Sequence, residues 1–135
     1  MSQRTLVLLK PDAVRRGLVG NIMSRFEAKG LTIVALDQRH IDAAEADKHY
    51  AEHVERDFYP PLRDFVTSGP LIAVVLEGDE AIEVVRAING ATDGRKAAPG
   101  TIRGDLSLSN RENLVHGSDG EESAAREIGL WFPDL

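Results

Sequence analysis

The chain contains no cysteine. Disulfides are therefore excluded, which fits a cytoplasmic location. Positive charge is also short: the net charge is −6. A general nucleic-acid binder needs a basic face from which counterions are released, so that class is excluded, although a local basic pocket for nucleotides is not. Apolar runs of membrane-spanning length are absent, and Met1-Ser2-Gln3-Arg4 leads directly into a strand-like segment, so neither a signal peptide nor a membrane partner is expected. The pattern G-x-x-x-x-G-K-[ST] does not occur, so phosphates would not be cradled in the manner of a P-loop. There is no repeat, low-complexity tract or linker. What remains is 135 residues, 42% hydrophobic and 28% charged: one ordinary domain over 1–135 with enough chain to bury a core.

Periodicity divides that domain into elements. Residues 5–9 read as a buried strand ended by Pro11, and 14–28 as a helix whose Leu18, Ile22 and Phe26 share a face before Gly30 stops it. A second strand covers 31–39. Asp42, with Glu45 three residues on, opens a helix to about His53, and a short helix follows over 60–67. The apolar segment 70–76 reads as a third strand, and Asp79 as the cap of a helix to Ile88. A loop over 89–111 precedes a fourth strand ending at His116, and a last helix spans 119–128. The order β-α-β, helical insertion, β-α-β predicts an α+β, ferredoxin-like βαββαβ sandwich: a four-stranded antiparallel sheet with helices on its face.

The chain is arranged around Asn113-Leu114-Val115-His116-Gly117-Ser118-Asp119. It places an imidazole at a strand tip, beside a glycine free to take angles forbidden to other residues and just before a new helix. Ser118 with Glu121, or Asp119 with Glu122, forms a capping box, and the helix N-terminus suits a phosphate. A neutral imidazole is nucleophilic at neutral pH. Alone, such a histidine is more often a surface or hydrogen-bonded residue than a catalyst. In the last helix Gly120, Ala124 and Glu127 share a stripe, which lets a neighbour approach the Glu127 carboxylate and orient its ring. An exposed glutamate is the plainer alternative.

Together with Leu8-Leu9-Lys10-Pro11-Asp12-Ala13, Pro99-Gly100-Thr101-Ile102-Arg103-Gly104-Asp105 and the terminal E-I-G-L-W-F, this stretch resembles the nucleoside diphosphate kinases from about Thr5 to Phe132. The resemblance implies the same sandwich and a ping-pong kinase passing the γ-phosphate of a nucleoside triphosphate, chiefly ATP, to a diphosphate through phosphorylated His116. It implies Lys10, Arg86, Thr92 and Arg103 as phosphate contacts, Asn113 at the sugar, and Phe58 with Leu62 at the base. Glu127, Ser118 and Tyr50 would attend the histidine. On the residues alone, Lys10 also reads as a solvated strand end, Arg86 as a cation at a helix C-terminus, Thr92 and Arg103 as surface, and Phe58 and Leu62 as core. Mg²⁺ is expected on the nucleotide phosphates, since no carboxylate cluster reads as a dedicated cage. A homo-oligomer follows from the resemblance, a hexamer ahead of a tetramer or dimer.

The chain departs from the family pattern at Gly94, where proline often follows the loop threonine, at Leu106, where an aromatic is common, and at Asn110-Arg111-Glu112. Losing that proline predicts a looser loop. Two rivals compete. His49-Tyr50-Ala51-Glu52-His53 matches H-x-x-E-H, a zinc-peptidase pattern that needs a third ligand and a larger cleft. A non-catalytic binding module on the same fold is the other.

Overall fold

The computed structural model describes residues 2–135. Strand β1 (Ser2–Leu9) is shielded from Thr5 onward, because it has neighbours on both edges and helices above and below. Pro11 does more than end it. It is the first residue of α1 (Pro11–Arg15), where a missing N–H costs nothing and the fixed φ suits a helix. The helix expected over 14–28 is thus two, α1 and α2 (Val19–Lys29), with the chain turning through Gly17 at φ 70°. Ile22 and Phe26 are fully buried, and Gly30 ends α2 in the left-handed region.

Strand β2 (Thr32–Arg39) is followed by α3 (Ala43–His49), whose Asp42–Glu45 capping box is present in both directions. This helix ends at His49, not near His53, and turns occupy 50–57. Next come α4 (Tyr59–Val66), with prolines in its first turn, and β3 (Leu71–Asp79). Asp79 pairs with Ser2 across the sheet and is not the N-cap of the next helix; Glu80, at φ 50°, holds that place and opens α5 (Ala81–Asn89) without a side-chain cap bond of its own. The expected bare loop over 89–111 contains a short helix, α6 (Ile102–Leu106), because the Thr101 hydroxyl accepts from Gly104 N. Strand β4 (Val115–Gly117) and α7 (Glu121–Trp131) complete the chain. Gly120, not Ser118 or Asp119, stands at the N-cap of α7, so the expected capping box does not form.

The sheet is antiparallel throughout, in the order β2-β3-β1-β4. With helices on it, this is the ferredoxin-like arrangement expected. Alternation along the strands directs Val7, Leu9, Val74 and Leu76 toward Ile22, Phe26 and Val85, on α2 and α5. It directs Leu6, Leu8, Ala73 and Val75 toward Tyr59, Val66 and Trp131, on α4 and α7. The register then settles where the chemistry lies. His116 pairs with Leu8, so it projects to the face covered by α3 and α7.

Candidate active site

His116 Nε2 lies 2.8 Å from Glu127 Oε1. The carboxylate is an acceptor, so Nε2 carries the proton and Nδ1 keeps its lone pair. Ser118 explains why no capping box forms: its hydroxyl donates to Glu127 Oε1 at 2.9 Å and accepts from Leu6 N at 3.2 Å. Burial alone would raise the Glu127 pKa, but bonds from His116 and Ser118, with nearby Arg126, hold it below the ordinary value. Glu127 is therefore a buried carboxylate, not an exposed one. Arg126 also donates to the carbonyls of Lys48 and His49, fastening α7 to the end of α3.

Gly117 departs from expectation. It does not take a left-handed conformation; the residue that does is Leu114, at φ 72°. This uncommon geometry for a side-chain-bearing residue is pinned from both sides. Lys10 N donates to the Leu114 carbonyl at 2.8 Å, and Leu114 N donates to Asp12 Oδ2 at 3.1 Å. What Gly117 supplies is room, since a Cβ there would press on Asn89 and Val85.

The cavity beside His116 measures about 390 Å³ and gathers Lys10, Tyr50, Arg86, Thr92, Arg103 and Asn113 with His116 and Glu127. A chain of net charge −6 thus concentrates cations in one cavity. Lys10 is buried, not solvated, and its Nζ donates to Asn113 Oδ1 at 2.9 Å. Burial first, and Arg103 second, lower its pKa to about 8, with Asp12 opposing. Arg103 is equally fixed: its guanidinium donates to the carbonyls of Asn113, Gly90 and Val115. Burial, then Arg86, brings its pKa down to about 10. Arg86 is held less firmly, with half its side chain exposed and a 3.2 Å bond to the Asp119 carbonyl. The Tyr50 hydroxyl is buried without a hydrogen-bond partner, and burial, then Glu127, keeps its proton on.

A second cavity of about 510 Å³ shares Lys10, Thr92 and Asn113 with the first and is flanked by Phe58 and Leu62. Phe58 is 50% exposed, which rules out the core reading and leaves a ring face open beside the cavity. Leu62 packs partly into the core. The looser loop expected at Gly94 is not found: Gly94 N bonds the Ser109 carbonyl, and a Cβ would sit 2.3 Å from Ser107 O. Only glycine allows that approach. Leu106 packs against the core, in keeping with a packing change.

Sequence reasoning missed Asp12 and Arg126, and named His49 only within H-x-x-E-H. His49 lies in this cavity, its ring centroid 4.7 Å from that of His116. Burial, then His116, lowers its pKa well below the usual histidine value. Trp131, one turn beyond Glu127 on the same helix, donates to it from Nε1; that i, i+4 spacing was the available signal. Among the described residues the grouping suited to a metal is His49, His116 and Glu127, without His53. Two imidazoles do not suit Mg²⁺, which prefers oxygen, so the residues offer no cage for it.

The family model described as nucleoside diphosphate kinase matches residues 3–135. A nucleoside diphosphate kinase of Nocardioides sp. (strain JS614) is 79% identical over all of both chains. That of Cutibacterium acnes is 63% identical over 98% of this chain and 96% of its own. Among solved structures, the halophilic nucleoside diphosphate kinase from Halobacterium salinarum in complex with CDP is 48% identical. It superposes with a TM-score of 0.96, covering 99% of this chain and 90% of that one. Fold and site define a nucleotide phosphotransferase. The chain belongs to the nucleoside diphosphate kinase family, enzymes that pass the terminal phosphate of a nucleoside triphosphate to a nucleoside diphosphate.

Proposed function

We propose that His116 carries the phosphoryl group in a ping-pong exchange. The observation that supports this most is the 2.8 Å contact between His116 Nε2 and Glu127, which leaves Nδ1 free beside a cavity lined with cations. Nδ1 attacks the γ-phosphorus, the bond to the β,γ-bridging oxygen breaks, and the diphosphate leaves. Glu127 balances the charge that develops on the ring and stays oriented by Ser118. A second diphosphate then attacks the phosphorus through a terminal β-phosphate oxygen, and the P–N bond breaks. Splitting the transfer lets one pocket serve donor and acceptor in turn.

Lys10, Arg86, Arg103 and Thr92 hold the phosphates, and the unpaired Tyr50 hydroxyl is a donor available to the transferring group. Asn113 meets the sugar. Phe58, with Leu62 beside it, stacks on the base, and stacking tolerates any base. CDP in the Halobacterium relative supports a nucleotide ligand here. Mg²⁺ enters with the nucleotide as part of the substrate, offsetting phosphate charge. We further infer a homo-oligomer, a hexamer first. Strand β2 supports this, since it lies at the sheet edge with Leu36 half exposed. A cytoplasmic location is supported by the lack of cysteine, and no described helix is long and apolar enough to cross a membrane.

The test is to mix the protein with γ-labelled ATP and Mg²⁺ in the absence of acceptor. Acid-labile, base-stable label that GDP or CDP then removes is the expected result. Nucleotide binding without label would leave a binding module and overturn the catalytic reading.

A further inference from the structure

The back of the cavity holds a group suited to a different ligand. His49, His116 and Glu127 each present a donor atom, and the three atoms lie within 4.8 Å of one another. Two imidazoles and one carboxylate are the ligand set of an open zinc site. An ion seated there would engage the imidazole and the carboxylate on which transfer depends.

The hydrogen bond behind His49 works against that ion. Indole nitrogen is a donor only. Trp131 Nε1 stands 3.0 Å from His49 Nδ1, so Nδ1 must accept. An accepting Nδ1 carries no proton, so the one proton of this buried ring lies on Nε2. Neither nitrogen then has a lone pair to give: the indole takes one, and the proton occupies the other position. The opposite tautomer would set two N–H groups against each other where His49 is 3% and Trp131 4% exposed. That disfavours it by about 10- to 100-fold.

We propose that the Trp131–His49 hydrogen bond is a tautomer lock that keeps this His–His–Glu group from capturing zinc or a similar divalent ion, and so keeps His116 free. Mg²⁺ is unaffected, because it seeks oxygen and is carried by the nucleotide. Lys10 and Arg126 also repel a cation here, but equally in every variant below, so comparing variants isolates the indole bond.

The experiment is calorimetric zinc titration of the full chain without nucleotide, comparing wild type, Trp131→Phe and Trp131→Phe/His49→Phe. Phenylalanine keeps a ring in the core and removes the donor. The single variant is expected to bind one zinc at least about tenfold more tightly than wild type, given the worth of the lost bond. It should also lose activity, under excess Mg-nucleotide, at zinc concentrations that spare wild type. The double variant should return to wild-type behaviour, which separates this site from binding at His40 or His53. Equal zinc affinity in wild type and Trp131→Phe, or persistent tight binding in the double variant, would overturn the proposal. Long-range ¹H–¹⁵N spectra of the wild type give an answer that needs no variant to fold: protonated Nε2 on His49 is expected, and protonated Nδ1 refutes the lock. Neither the calorimetry nor the spectra require that His116 accept phosphate, so this inference and the ping-pong reading fail independently.

Discussion

The back and the rim of the cavity are built by opposite means. At the back, Glu127, Ser118 and Lys10 are all buried, and each is tied by hydrogen bonds to a strand, a helix or Asn113. At the rim, Phe58 is half exposed, and Arg86 has 54% of its side chain in solvent. The back is organised before any ligand arrives, as electrostatic stabilisation of a transition state requires. The rim is free to adjust, which suits the proposed stacking of different bases on Phe58.

The sharpest way to break this contrast is at its reactive end. His116→Ala should lower phosphoryl transfer by at least about 10⁴-fold, since the proposed exchange has no other nucleophile. Its far-UV circular dichroism should match wild type, and normal turnover would end the mechanism.

Glu127→Gln should cost about 10²-fold in kcat, by analogy with the loss of a positioned proton partner. It should also leave a stability difference with a specific pH dependence. The folded carboxylate titrates below its ordinary value of 4.5, so its contribution is complete above that value and fades as pH falls through the lower folded value. Thermal melts of both proteins across that range check the sign. A difference that grows on acidification would contradict it.

Lys10 tests the middle of the site. Its pKa of about 8 in the free protein means that the protonated form, the one proposed to hold the phosphates, is depleted above that pH. kcat/KM, which reports the free enzyme, should therefore decline as pH rises through about 8. Replacing Lys10 with Met should remove that limb of the profile and leave a uniformly low rate.

The smallest effect belongs to the rim. Phe58→Ala should raise KM by roughly 10-fold, in line with the worth of one stacked base, and by similar factors for purine and pyrimidine substrates. The melting temperature should hardly move, because Phe58 is not core. A large loss of stability would place the rim in the same class as the back.

The sequence was most legible where one local pattern decides a conformation. The Asp42–Glu45 box formed because both partners lie within three residues and little competes for them. It was least legible where a distant partner competes. Ser118 and Asp119 have the composition of a cap, yet the Ser118 hydroxyl is taken by Glu127 and by Leu6, 112 positions away. Asp79 has the same composition but is held in the strand by pairing with Ser2. Gly117 was expected to bear the unusual backbone angle, and Leu114 bears it, because Lys10 at the end of β1 and Asp12 on α1 clamp that residue. Gly94, which local reasoning marked as loose, is tightly packed against Ser107, contact that no neighbouring residue announces.

By itself, the sequence determined the sandwich order and the histidine at the strand tip, because strand and helix periods are local properties; the cations around that histidine were expected only from the resemblance to the family, and the folded cavity brings them together. Only the tertiary structure decided which nitrogen of His116 stays free, how Arg103 is fixed, and that His49 and Trp131 stand behind the site. Those outcomes depend on the pairing of His116 with Leu8 and on α7 folding back over that face. A strand register and a helix docking are set by the packing of the whole core, and no short window of sequence contains that information.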